Sequence, residues 1–213
     1  MTGEKTIIKE TGQEDLANVM QLWNSGEVMR FVGYPNGLGI TLPQLELWLT
    51  GMGQLRRHYS IYLADGTYCG ETFYRIDPEI GATALDIKLL PAARGKGVAT
   101  RALSFAINQA FRNWQARWVY VGPHPSNSKA WALYKRLGFI SKPRPDFLEA
   151  GLTYLEITRE QWQGSELQQR AAADFDVQVS CKDVILRDYI ASDIEDDIRW
   201  MTTEISWHEW DAP

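Results

Sequence analysis

Cysteine is scarce. Cys69 and Cys181 are the only two in 213 residues, and neither has a partner at the spacing of a metal site or a redox motif. A disulfide-stapled scaffold and a thiolate-ligated zinc module are therefore excluded, and both residues are read as buried thiols of an intracellular protein. Histidine is nearly as rare: His58, His124 and His208 are too dispersed for a zinc arrangement, and no metal is expected. An excess of positive charge is also missing. The 22 basic residues stand against 27 acidic ones, a net charge of −5; this argues against a nucleic-acid binder that neutralises phosphates and leans toward a cationic partner such as a protonated amine. No apolar run is long enough to span a membrane, and the polar start leads into an apolar strand without a targeting region, so no membrane partner is expected and the cytoplasm is the expected location. Serine and cysteine never occupy a nucleophile elbow, since Ser126 is followed by Asn127 where that turn needs glycine. Hydrolase chemistry of that kind falls away.

What is present suits a folded enzyme-sized domain. Apolar residues make up 45% and charged residues 23%, the balance of a chain that buries a core, and nine tryptophans point first to a large aromatic one. Thr6–Glu10 reads as an opening strand, and Thr11 with Glu14 as a capping box starting a helix with Leu16, Val19, Met20 and Trp23 on one face. Thr41 and Gln44 form a second box before Leu45, Trp48 and Leu49. His58–Leu63 and Thr67–Ile76 flank an Asp65-Gly66 turn as a hairpin. A strand at Thr83–Leu90, a long helix burying Leu103, Ala106, Ile107, Ala110 and Phe111, a strand at Arg117–Val121, a helix at Asn127–Leu137 and a last strand at Leu152–Thr158 follow. This order predicts an α+β fold: a mixed, mostly antiparallel central sheet with helices on both faces.

The tail reads differently. Residues 1–163 form the predicted domain, 164–181 a polar, alanine-rich linker, and 182–213 a strand-helix segment. Val184–Arg187 is strand-like and Ser192 to Glu195 is a capping box. Leu186-Arg187, Asp193 and Pro213 match Ile8-Lys9, Asp15 and Pro35 at one offset, a partial internal repeat. Two readings stand: the opening of a second copy of the domain, cut short, or a helical arm that packs on the domain or on a second subunit of a homodimer.

The chemistry concentrates in two motifs. Pro91-Ala-Ala-Arg94-Gly95-Lys96-Gly97-Val98-Ala99-Thr100 lies between a strand and a helix. Its two glycines let backbone N–H groups face one point, the helix adds the positive end of its dipole, and Arg94 and Lys96 add charge, so a pyrophosphate is the expected guest. It lacks the Gly-Lys-Ser/Thr ending of a nucleotide P-loop. About thirty residues on come His124-Pro-Ser-Asn127-Ser, Lys129, Ala130, Tyr134 and Leu137-Gly138-Phe139. Asn127 and Tyr134 are two helical turns apart and share a side. The Arg-x-x-Gly-x-Ala turn, this second motif and the element order together resemble the GNAT acetyltransferases over about residues 5–160. The Asn24–Pro35 stretch looks like the branch that acetylates ribosomal-protein amino termini, aminoglycosides and related amines.

The resemblance implies an acyl-CoA N-acyltransferase fold and transfer of acetyl from acetyl-CoA to a primary amine by direct attack in a ternary complex. It also implies roles. Arg94, Gly95, Lys96, Gly97, Val98, Ala99 and Thr100 would cradle the pyrophosphate, Asn127 would meet the pantetheine arm with Lys129 beside it, and a backbone N–H near Leu89 or Leu90 would hold the oxyanion. Tyr134 would protonate the departing thiolate. Asp86 or Glu71 would accept the amine's proton, and Glu27, Arg30 and Tyr34 would shape the acceptor pocket. The acceptor classes left open are a protein amino terminus, an aminoglycoside and a small amine. The competing reading is a non-catalytic acyl-CoA-binding or assembly module on the same fold.

Overall fold

A computed structural model of the chain describes residues 6–113, 115–165, 167, 179–181 and 184–186. The chain divides into two units, Met1–Ala171 and Ala172–Pro213.

The first unit is built on a seven-stranded sheet. Its strands are β1 (Thr6–Glu10), β2 (Arg56–Leu63), β3 (Tyr68–Asp77), β4 (Ala82–Leu89), β5 (Trp118–Val121), β6 (Ile140–Ser141) and β7 (Leu155–Thr158), in the order β1-β2-β3-β4-β5-β7-β6. Every neighbouring pair is antiparallel except β4 and β5. Its helices are α1 (Leu16–Trp23), α2 (Gly26–Met29), α3 (Leu42–Thr50), α4 (Val98–Asn113), α5 (Ser128–Arg136) and α6 (Arg159–Gln163). The mixed, mostly antiparallel sheet predicted from the element order is thus the one found. The short α2, the two-residue β6 and α6, which buries Trp162, have no counterpart in the sequence reading. In the second unit β8 (Val179–Cys181) pairs antiparallel with β9 (Val184–Leu186). Of the strand expected at Val184–Arg187, Val184–Leu186 form β9 and Arg187 lies outside the described residues, while β8 lies inside the stretch read as linker. The helix expected from Ser192, Asp193 and Pro213 lie outside the described residues.

The first capping box expected at Thr11 and Glu14 does not form as such, and only a single backbone-to-carboxylate bond takes its place. Asp15, not Glu14, takes the Gly12 N–H, at 2.9 Å, while Glu14 pairs with Lys9 at 2.6 Å. Thr11 turns inward instead, its hydroxyl 2.9 Å from both His58 Nδ1 and Ser60 Oγ. The second box forms as expected, with Gln44 Oε1 accepting the Thr41 N–H at 2.9 Å.

The sheet's two faces are chemically distinct. On one, Ile61, Leu63 and Cys69 pack with Ala93, Val98 and Ala102 of the α4 side, and Ile87 and Leu89 of β4 join them. The other carries a buried polar seam toward α1. Register aligns Ser60, Glu71 and Lys88 across β2, β3 and β4. The Glu71 carboxylate accepts the Trp23 indole N–H at 2.7 Å, lies 3.3 Å from Lys88 Nζ, and stands 2.9 Å from His58 Nε2. Desolvation would raise the pKa of this fully buried acid, yet His58, Lys88 and Trp23 outweigh it and hold the group at about 2.

A carboxyl whose folded pKa lies below its unfolded value adds stability at pH above that unfolded value, near 4.5. The contribution disappears as pH falls through the folded pKa, near 2. Glu71→Gln leaves Lys88 buried without one of its two carboxylate partners and should cost about 3 kcal/mol at neutral pH. Urea denaturation across pH 2–6 should show the variant's deficit shrinking over that acid window. An equal deficit at every pH would show that Glu71 contributes only packing.

Candidate active site

β4 and β5 run parallel for only three residue pairs, Ala82 to Ala84 against Trp118 to Tyr120. Beyond them β4 continues through Leu85 to Leu89, while β5 reaches Gly122 and Pro123. Proline has no N–H to extend a ladder, so the strands part. The gap opens into a cleft of about 940 Å³ between β4, α2, the loop before α4, and α5.

The loop at the mouth supplies converging donors. Gly95 and Gly97 sit at φ +79° and +77°, conformations that glycine alone adopts without strain, and successive turns of this kind aim their amides at one point. Arg101 is the first residue whose N–H finds a carbonyl within the helical turn, that of Gly97 at 3.2 Å. The amides of Val98, Ala99 and Thr100, all on the cleft wall, precede it and are the donors a helix leaves open at its start. Arg94, Gly95 and Gly97 line the same wall; Lys96 does not, though its carbonyl accepts from Arg101 at 3.1 Å and steadies the loop. Arg94 bonds the Leu89 carbonyl at 3.3 Å and pairs with Glu27 of α2 at 2.8 Å. The donor set fits a pyrophosphate.

The β4 edge follows from ladder parity. Leu90 N–H donates to the Cys69 carbonyl at 2.9 Å. Even-numbered amides of this strand therefore turn to β3, while those of Ile87 and Leu89 turn to the gap. Of the two amides nominated for the oxyanion, Leu90's is committed elsewhere and Leu90 lies off the cleft wall; Leu89 is on it. Ile87 N–H is taken by Asp86 Oδ1 at 2.8 Å.

Across the gap, Asn127 caps α5 by accepting the Ala130 N–H at 3.2 Å, and Asn127, Lys129 and Tyr134 all line the cleft. Tyr134 is buried, its ring 5.5 Å from that of Phe139. Burial and, secondarily, the Asp86 charge push its phenol above the usual tyrosine range, so the hydroxyl keeps its proton. Asp86 lines the cleft with one oxygen on Ile87 N–H and the other 2.7 Å from Lys88 Nζ. Burial would lower the Lys88 pKa, but Asp86 and Glu71 raise it and keep the ammonium charged.

Of the other nominated residues, Glu27 and Arg30 line the cleft, whereas Tyr34 is exposed and off its wall. Glu71 is also off the wall, committed to the seam on the α1 side of the sheet. Its burial and triple engagement leave it unsuited to meet an incoming amine. Sequence reasoning missed Lys88, Phe31 and the use of His124. Lys88 was legible two residues after Asp86 on the same strand face; Phe31 and His124, whose rings stand 5.9 Å apart, come from segments far apart in sequence.

A parted parallel strand pair with a glycine turn and helix amides at its open end defines a protein that handles a phosphate-bearing carrier. The comparisons name the class. The Acetyltransferase (GNAT) domain family matches residues 6–140, and the chain belongs to that family, with acetyl-CoA-dependent N-acetylation as its reaction. No characterised protein matches the sequence closely. Among solved structures, the Vibrio cholerae spermidine N-acetyltransferase with CoA and spermine is similar at TM-score 0.65 and 19% identity, covering 75% of this chain and 98% of that one. A chimera of that enzyme with hSSAT gives 0.64 and 18%, covering 76% and 99%. At such identities the likeness is one of fold. Among the described residues, no cluster of acidic, histidine or cysteine side chains could hold a metal, and no helix is long and apolar enough to cross a membrane.

Gly95 tests the cradle cleanly, because a Cβ there meets nothing within 4 Å and only the backbone conformation is at stake. Gly95→Ala should cost about 1–2 kcal/mol in the left-handed turn. By turning the loop's amides away, it should also weaken CoA binding about tenfold in calorimetry. Unchanged affinity would show that the loop does not hold the phosphates.

Proposed function

We propose that the chain transfers acetyl from acetyl-CoA to a small primary amine by direct attack within the cleft, and that the residues on its walls divide the work. The observation that carries this reading is that Leu89, Tyr134 and Asp86 line one cleft together with the residues of the phosphate-type loop.

The loop amides from Gly95 to Thr100, with Arg94, anchor the pyrophosphate, and Asn127, with Lys129 beside it, meets the pantetheine arm. The thioester supplies an activated acetyl carbonyl. The Leu89 N–H, turned into the gap, donates to the oxygen that gains charge as the amine attacks. Asp86 receives the ammonium and passes its proton to water or takes it directly. Lys88 fixes the carboxylate and keeps the charge beneath it balanced. Tyr134 protonates the departing sulfur; the acid stays loaded because its phenol titrates above the usual range. No covalent enzyme intermediate is required. An acceptor of small size is supported by the fold shared with the Vibrio cholerae spermidine enzymes over nearly their whole length. A non-catalytic acyl-CoA module would bind CoA in the same cradle without releasing thiol to any amine.

Tyr134→Phe should lower kcat about 10- to 100-fold while leaving the KM for acetyl-CoA unchanged, followed by thiol release. Because the raised phenol pKa keeps the proton in place, the wild-type rate should show no loss attributable to Tyr134 up to the ordinary tyrosine range. An undiminished kcat in the variant would remove Tyr134 from the mechanism.

A further inference from the structure

The charges on the cleft wall run opposite to those of the whole chain. Two carboxylates, Glu27 and Asp86, face five cations, Arg30, Lys88, Arg94, Lys129 and Arg136, in a protein of net charge −5. Both carboxylates are engaged: Glu27 with Arg94 at 2.8 Å and Asp86 with Lys88 at 2.7 Å. Arg94 belongs to the phosphate loop, and Lys129 and Arg136 to α5, so coenzyme phosphates answer that side. Lys88 is sealed between two acids. Arg30 differs. It sits in the turn after α2, and its guanidinium lies 4.7 Å from the Phe31 ring centroid with no carboxylate partner among the described residues. Phe31 in turn leans on His124 across the cleft, 5.9 Å between rings. Arg30, Phe31, Val28 and Val32 thus line one stretch of the cleft wall, a cation set among apolar side chains.

A polycationic acceptor needs several carboxylates spaced along its length, whereas this wall offers Asp86 and Glu27 alone, and Glu27 is held by Arg94 of the phosphate loop. Resting on the transferase reading above, we propose that the acceptor is a small amine that also carries a carboxylate, and that Arg30 reads that carboxylate while Asp86 receives the ammonium. Arginine suits the task because its planar fork donates two parallel hydrogen bonds to one carboxylate. One anion-reading group and one cation-reading group suit a zwitterion. The bond change is that of the proposed reaction: the amine nitrogen forms a bond to the acetyl carbon, the carbon–sulfur bond breaks, and the amine's proton leaves for Asp86 or water while sulfur is protonated.

The test is a thiol-release assay with acetyl-CoA and amine pairs that differ only by a carboxylate: phenylalanine against phenethylamine, alanine against ethylamine, 4-aminobutyrate against propylamine, with spermidine as the polycation. At least one carboxylated member should exceed its partner and spermidine about tenfold or more in kcat/KM, the scale of one charge-assisted bidentate contact. Arg30→Ala should erase that preference by raising the KM of the carboxylated amine, cost its carboxylate-free partner far less, and be partly rescued by Arg30→Lys. Turnover of spermidine or the plain amines at least as good as that of every carboxylated partner would overturn the assignment and leave the transferase reading standing. So would an Arg30→Ala loss equal for both members of a pair. Thiol release with no amine, despite calorimetric binding of CoA, would overturn both.

Discussion

The site depends on one interruption of hydrogen bonding. Had β5 carried residues able to extend its parallel ladder past Tyr120, the edge of β4 would be consumed by its neighbour and no cleft would exist. Gly122 and Pro123 prevent this, and β5 keeps its other edge on β7, pairing Trp118 to Val121 with Leu155 to Thr158. The sheet thus remains continuous at one end and forks at the other. The fork turns the alternate amides of Leu85 to Leu89, which a continuous sheet would hide, into directed donors. It also leaves room for α5 to bring Tyr134 against the same space. An unpaired strand edge inside a protein is costly unless a guest or a side chain satisfies it; Asp86 already does so for Ile87.

Holding β4 straight through an unpaired stretch requires support from its other edge and both faces. On the α4 face this is ordinary packing of Ile87 and Leu89. On the α1 face it is ionic: Glu71 is bonded to Trp23 and close to His58 and Lys88, and Lys88 reaches Asp86. An apolar seam would pack as well or better by energy alone. The ion cluster adds direction, since a carboxylate tied to a buried ammonium and a backbone amide is restricted in orientation. Glu71 is therefore linked to Asp86 through Lys88 and lies off the cleft wall, away from the position expected of a base.

The sequence showed the fold where local chemistry decides it. Alternating strands, the Asp65-Gly66 turn, the Thr41–Gln44 box and the helix ended by Gly138 all form with small boundary shifts, because periodicity and caps are properties of a few adjacent residues. It misled where tertiary partners compete. Thr11 is a good cap by type, but His58 and Ser60 claim its hydroxyl, and only half of a box remains, the Gly12 N–H donating to Asp15. Helix α2 was missed because its existence rests on contacts. A Cβ on Gly26 would stand 2.2 Å from the Pro35 carbonyl oxygen, and the surrounding loop is pinned by Asn24 bonding both the N–H and C=O of Ile40, at 2.7 and 2.8 Å. Residue types showed that Asp86 and Glu71 are both acids near the turn; only register and burial separate the one that lines the cleft from the one that lies behind it.

Asn127 illustrates how the same side chain satisfies two readings that sequence treats as rivals. An asparagine before a helix is most simply a cap, and its Oδ1 is indeed spent on the Ala130 amide. Capping uses only the oxygen. The amide nitrogen retains two donors on a residue that lines the cleft, so the bond that starts α5 also fixes where those donors stand. Two turns later the same helix carries Tyr134, whose ring is locked against Phe139 just past the helix end. The cap at one end and the aromatic contact at the other set the helix's rotation, and with it the position of the hydroxyl relative to the β4 edge. Helix stability and the placement of both side chains on the cleft wall are therefore one constraint here.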